Sequence, residues 1–288
     1  MPCFINLPLR WLHDEPAWVD WFVGGRIAPE LGLDGASIRL PDTWHEEIAA
    51  RFRDAGLPVA VHLPFLGIDP CDLDDDKARS ARAGLTRGAE LARLYGAKHM
   101  IGHPYYRPRK EGREKDDMNG RWMEMGLLAW PEIPAVGDAP LFLENTYERG
   151  PEAIAALVGE LAATGQGFGV CFDVGHWHSF AGHSDPQELD PWLEAYGPFA
   201  VHLHLHDNDG SSDQHIGLGK GGVPFTELFA RLASRGKAIT ATLEPHDVKA
   251  FSSSIAWLRD NKDIAARIGW ETPRMEALPL DMIQAAIQ

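Results

Sequence analysis

A chain of 288 residues with 44% apolar and 24% charged residues has the ordinary composition of a folded protein with one large core or two small ones. Its net charge of −15 weighs against nucleic-acid binding, which draws on lysine and arginine to neutralise phosphates. No apolar run reaches the length of a membrane span, and three widely spaced cysteines, none in a CxxC pairing, argue against a disulfide framework or a cysteine-based zinc ribbon.

The first residues, MPCFINLPLRW, lack a basic segment followed by a long apolar one. No secretory signal is therefore expected, and the cytoplasm is the default location. Short apolar runs then alternate with amphipathic ones along the chain. Strands are expected at Phe4–Leu9, Ala36–Leu40, Val59–Pro64, His99–His103, Leu141–Asn145, Gly169–Asp173, Ala200–His206 and Ile239–Glu244. Helices are expected at Trp44–Ala55, Asp74–Tyr95, Pro151–Ala163, Pro186–Tyr196 and Phe225–Ser234, several with a first-turn proline or a closing glycine. About eight strand–helix units with near-continuous apolar strands predict a single (β/α)8 TIM barrel of class α/β. The doubly wound open sheet is the rival, but no G-x-G-x-x-G follows the first strand. The barrel is expected to span residues 1–270, with 271–288 as a tail. The charged stretch Tyr106–Asp117 reads as a solvated loop, or as a contact for a phosphorylated substrate. Trp18, Trp21 and Phe22, together with the tail, are candidates for a homo-oligomer contact.

The densest chemistry lies in VHLHLHDNDGSSDQHIGLGKG, residues 201–221. Histidines 202, 204 and 206 alternate, so an extended strand projects them from one side. Similar residues close the other expected strands: His62, His103, Glu144, Asp173 with His176, and Glu244, while Asp213 and His215 follow the seventh strand. In a parallel barrel these ends converge on one face, the C-terminal mouth, where active sites of this fold sit. A carboxylate after an apolar run is costly to bury unless paired or coordinated, which singles out Glu144 and Glu244. The set points to a divalent-metal site. The plainer alternative is a polar loop whose histidines make ordinary hydrogen bonds.

The motifs HLPF, HP, LENT, FDVGH, HLHD…DQHIGLGKG and LEP together resemble the xylose isomerase-like TIM-barrel superfamily, over nearly the whole chain. That group holds sugar isomerases and epimerases and the endonuclease IV-like proteins (AP endonuclease family 2). The resemblance implies Glu144, Asp173, His204 and Glu244 as ligands of an isomerase-type metal, with Glu144 and Glu244 as the acid–base pair. For the nuclease branch it implies nine ligands of three zinc ions: His62, His103, Glu144, Asp173, His176, His204, Asp213, His215 and Glu244. The ions expected are Zn2+ or Mn2+, with Mg2+ possible, one to three per chain. His176 and His206, with Phe65, Trp177 and Tyr105 at the mouth, would contact a sugar-like small molecule.

Two departures weigh against the nuclease chemistry. His103-Pro-Tyr-Tyr stands where that branch carries an HPGSH-like run, and His206 precedes Asp207 where it carries Asn. The expected function is therefore a metal-dependent isomerase or epimerase, which forms an enediolate by proton abstraction. A multi-zinc phosphodiesterase acting on abasic DNA is the alternative, and a non-catalytic binder the third class.

Overall fold

The computed structural model describes residues 3–72, 74–106, 115–236 and 239–270. The charged residues 107–114 and the expected tail 271–288 lie outside the described residues. Eight parallel strands close into a barrel in sequence order. They are β1 (Cys3–Pro8), β2 (Ala28–Gly32), β3 (Ala60–His62), β4 (Met100–Gly102), β5 (Leu141–Glu144), β6 (Phe168–Asp173), β7 (Val201–Leu205) and β8 (Thr240–Leu243). Pairing of Cys3 with Ala241 and of Ile5 with Leu243 shuts the ring.

Helices wrap the barrel because the strand alternation sends one set of side chains out to them. Ile5, Leu7, Leu31, Val61, Leu143, Val170, Phe172, Leu203 and Leu243 join one large cluster with the helices' apolar faces. Trp18 and Phe22, expected as contact residues, are buried in this same core. The helix at Asp75–Tyr95 shows how local signals set the boundaries. Asp74 caps its start by accepting from the backbone N–H of Asp76 and Lys77, and Gly96, at φ 66°, ends it in the left-handed region.

The expected strand at Ala36–Leu40 is a correction. Those residues form a short 3-10 turn at Ser37–Arg39, and the second strand lies earlier, at Ala28–Gly32. The Asp34 carboxylate accepts from the backbone N–H of Ala36 at 2.9 Å and of Ser37 at 2.6 Å, which folds that segment into a turn. The true strand reads Ala-Pro-Glu-Leu-Gly, and proline and glutamate are both depleted in strands. The charged stretch expected as a loop also gives way at its end, where a helix spans Lys115–Ala129.

Inward-facing residues fill the barrel in layers. Phe4, Ala28 and Ala60 make one apolar patch of its floor; Ile101, Phe142 and Cys171 make another. Gly169 belongs here by necessity, since a side chain on it would run into the Phe142 ring and the Ala200 carbonyl. Above the floor the interior turns polar. Glu30 accepts from a ring N–H of His99 at 2.9 Å and from the Thr242 hydroxyl at 2.8 Å. His202 bridges to the Thr242 and Thr240 hydroxyls at 2.9 and 2.7 Å.

Candidate metal centre

Six of the eight strands, β3 to β8, bring a ligand-type side chain to the mouth at or just past their ends. His62 ends β3, Glu144 ends β5, Asp173 ends β6 and His204 lies one residue before the end of β7, while His103 and Glu244 directly follow β4 and β8. All six are buried. Nδ1 of His204 lies 3.3 Å from Glu144 Oε2, 3.3 Å from Glu244 Oε1 and 3.8 Å from Asp173 Oδ2. Neither ring nitrogen of His204 has a hydrogen-bond partner of sound geometry. A buried imidazole at the centre of three carboxylates, with no hydrogen bond of its own, is what a cation-binding set looks like.

Two further groups flank this centre. On one side, Nε2 of His62 and of His103 lie 3.3 and 3.0 Å from Glu144 Oε2. On the other, Nε2 of His176 and of His215 lie 3.3 and 3.1 Å from Asp213 Oδ2. Their tautomers are set by main-chain acceptors. Nδ1–H of His62 donates to the Leu63 carbonyl, that of His176 to the Asn145 carbonyl and that of His215 to the Glu244 carbonyl, at 2.8–2.9 Å. Each neutral ring therefore turns a lone pair towards a carboxylate oxygen, and His62 also turns it towards Nε2 of His103 at 3.1 Å. Lone pair facing lone pair is repulsive unless a proton or a metal ion stands between. A carbonyl-held Nδ1 with a free Nε2 is also the usual arrangement of a metal-bound histidine. The donor sets fit divalent ions: His62, His103 and Glu144 in one group, and His176, His206, Asp213 and His215 in another.

Where nothing else compensates the charges, protons do. Burial alone would depress His204 and His176, but the surrounding acidic groups reverse this and hold both well above the ordinary imidazole value. Burial alone would raise Asp213, yet its histidine neighbours hold it well below the ordinary carboxylate range. Glu144 is likewise held low by His103 and His204 against burial, whereas burial and the nearby Glu144 push Glu244 up to about 7. The two carboxylates are thus driven apart in acidity.

The nine expected ligand residues all reach the mouth. The expected substrate contacts divide. Phe65 is half-buried and stacks on His103 with ring centroids 4.5 Å apart. Tyr105 stands beside His103 at 6.1 Å, in the left-handed backbone region at φ 55°. Trp177 does not line the mouth: it is fully buried and packs on His178 and His183. It lies in the turn that starts at Asp173, where the next residues bury themselves between barrel and helices. His206, also expected at the substrate, is buried beneath His215, the rings stacking at 3.7 Å. His246 stacks on the outer side of His215 at 3.6 Å.

Sequence reasoning missed Glu30, His99, His246 and Glu148, and it named His202 on the inward face of its strand without giving it a role. Glu148 is buried, accepts from the Thr146 N–H at 2.5 Å, and is raised to about 7 by burial. For Glu30 the signal was present: a single acid inside the apolar run IAPELGL.

The family described as a xylose isomerase-like TIM barrel matches residues 26–261 of this chain. The TTHB071 protein from Thermus thermophilus, solved after soaking with ZnCl2, is 27% identical, with a TM-score of 0.70 over 90% of this chain and 97% of that one. D-psicose 3-epimerase with D-tagatose, from Clostridium cellulolyticum, is 16% identical, with a TM-score of 0.65 over 100% and 98%. Endonuclease IV from Thermus thermophilus is 20% identical, with a TM-score of 0.62 over 90% and 100%. At these identities the epimerase and the nuclease share the fold and no more.

Proposed function

Because the chain belongs to the xylose isomerase-like TIM-barrel family, we propose that it is a divalent-metal-dependent isomerase or epimerase of a small sugar-like or hydroxy-carbonyl substrate. The observation that carries this reading is the meeting of Glu144, Asp173 and Glu244 around Nδ1 of His204, at 3.3–3.8 Å. These four would hold the ion. Three carboxylates suit Mn2+ or Mg2+, the surrounding imidazoles suit Zn2+, and the zinc soak of the TTHB071 protein makes zinc the first ion to test. A bound divalent ion supplies Lewis acidity to adjacent substrate oxygens.

The chain's own residues handle the proton. Glu144 enters from β5 and Glu244 from the end of β8, non-adjacent strands of the barrel, so the two can flank one substrate carbon. Glu144, held ionised, takes a proton from the carbon beside the carbonyl. Glu244, near 7, returns one from the other side. His62 and His103 steady Glu144, and Phe65 offers an apolar wall beside them.

The flanking His62–His103 and His176–Asp213–His215 groups favour a second reading, phosphodiester hydrolysis by clustered ions. One experiment separates the two. Chelator-stripped protein is reloaded with Zn2+ or Mn2+ and incubated in D2O with a panel of ketoses and their phosphates, alongside an abasic-site duplex. Metal-dependent deuterium uptake at the carbon next to the carbonyl, seen by NMR, supports the isomerase. Strand cleavage without any uptake replaces it with the hydrolase.

A further inference from the structure

A separate cleft of about 360 Å3 lies at the same end of the barrel, to the side of the metal centre, and has the size of a small-molecule pocket. Tyr106, Trp122, Met123, Arg149, Glu152 and Ala153 line it. Tyr106 stands three residues beyond His103 and Arg149 five beyond Glu144, so the cleft is built on the loops that leave two residues of the centre. Three and five residues of extended chain span at most about 11 and 18 Å. Trp122 donates its Nε1–H to the Pro104 carbonyl at 2.8 Å, which fixes the indole against the residue that follows His103 and leaves its ring faces without a polar duty. Tyr106 meets Trp122 edge to face, at 77° with centroids 5.1 Å apart, so the two rings form a corner. The loop after β5 supplies the polar groups. The Arg149 carbonyl accepts from Nε2 of His183 at 3.2 Å, while its exposed guanidinium makes no ion pair among the described residues. The Glu152 carboxylate lies over Gly150, in the space a side chain would need there.

We propose that this cleft is a subsite for a second sugar ring, so that the substrate is a glycoside: its keto-sugar reacts at the metal centre and its attached sugar lies against Trp122, Tyr106 and Arg149. The inference rests on the isomerase reading and names its substrate class. A sugar ring has an apolar C–H face and a rim of hydroxyls, and the cleft offers a partner for each. The aromatic corner takes the C–H face. Arg149 donates to hydroxyl oxygens, and Glu152 accepts from hydroxyl hydrogens. A phosphate or carboxylate group suits the cleft less well, because the Glu152 charge beside Arg149 repels an anion that the arginine would attract. Both charges are of use only to a neutral ligand that donates and accepts.

The test compares fructose with three isomeric glucosyl-fructoses, turanose, maltulose and palatinose, whose second rings leave the same fructose unit in different directions. Wild type, Tyr106→Ala and Arg149→Ala are loaded with Zn2+, verified as folded by circular dichroism, and titrated with each sugar by ligand-observed NMR in D2O. The expected result is that at least one glucosyl-fructose binds the wild type at least about 10-fold more tightly than fructose, and that each variant brings this ratio to within about 2-fold of unity. If the wild type binds no glucosyl-fructose more tightly than fructose, or if both folded variants keep the ratio, the cleft is no sugar subsite and the proposal is overturned. Deuterium uptake in the same samples tests the isomerase reading by itself. Its absence from every sugar counts against that reading, while the binding ratio still decides the subsite.

Discussion

Oε1 of Glu30 stands 3.1 Å from Nε2 of His204, on the opposite side of the ring from the mouth. The carboxylate is completely buried and is held in turn by His99 and Thr242. An acid behind an imidazole favours positive charge on the ring and, once Nδ1 binds an ion, the proton on the far nitrogen. Glu30→Gln retains the shape and removes the charge. It is expected to weaken zinc binding by about 10–100-fold, read by competition with a chromophoric chelator. Glu30→Ala strands buried imidazoles without their partner and is expected to cost about 3–5 kcal/mol in urea unfolding.

This same pair marks what could and could not be read from the chain. His204 was legible because three alternating histidines on an apolar strand have few explanations other than an inward polar face. Glu30 left only a weak signal, a lone acid in an apolar run, because its strand carries Pro29 and the acid itself, and the tidier alternation of Ala36–Leu40 drew the strand to the wrong place. Local propensity lost there to tertiary burial: the acid is tolerated in a strand because His99, just before β4, and His204 of β7 meet it inside the barrel. Trp177 failed for the opposite reason. Its neighbours Asp173 and His176 face the mouth, but the turn rotates the residue between them and the helices, a rotation that spacing alone does not reveal.

The titration of the mouth gives the metal-free protein a definite pH profile. His204, His176 and His62 are raised above 6.5 despite burial, through their carboxylate partners. A raised group stabilises fully below its unfolded value, about 6.5, and that contribution is lost as pH climbs through the folded value. Thermal melts of chelator-treated protein should therefore fall as pH rises above about 6.5. Added zinc should reverse the slope, since the ligands bind it deprotonated and the affinity grows with pH. A melting temperature that climbs with pH in the absence of metal contradicts the protonated cluster.

Phe65 and Trp177 should separate cleanly in a paired experiment. Trp177→Ala empties a fully buried site and is expected to cost about 3–5 kcal/mol of stability by denaturant unfolding. Phe65→Ala removes a half-buried ring stacked on His103 and is expected to shift KM several-fold with a far smaller loss of stability. Equal destabilisation by both substitutions would place Phe65 in the core instead of on the wall of the mouth.

The last prediction concerns the division of labour between Glu144 and Glu244. Glu144 is held low by His103 and His204 while burial raises Glu244 to about 7, so Glu244 is the weaker acid of the pair and the readier proton donor. Glu244→Gln keeps a neutral group of the same shape but can neither give nor take that proton. It is expected to lower kcat for isomerisation by about 10^2–10^4. Exchange of the substrate's acidic hydrogen with solvent should survive better than net turnover, because Glu144 can still remove it. Glu144→Gln should abolish both together. If the two variants lose exchange and turnover in the same proportion, the carboxylates do not act on opposite sides of one carbon, and both serve only to hold the ion.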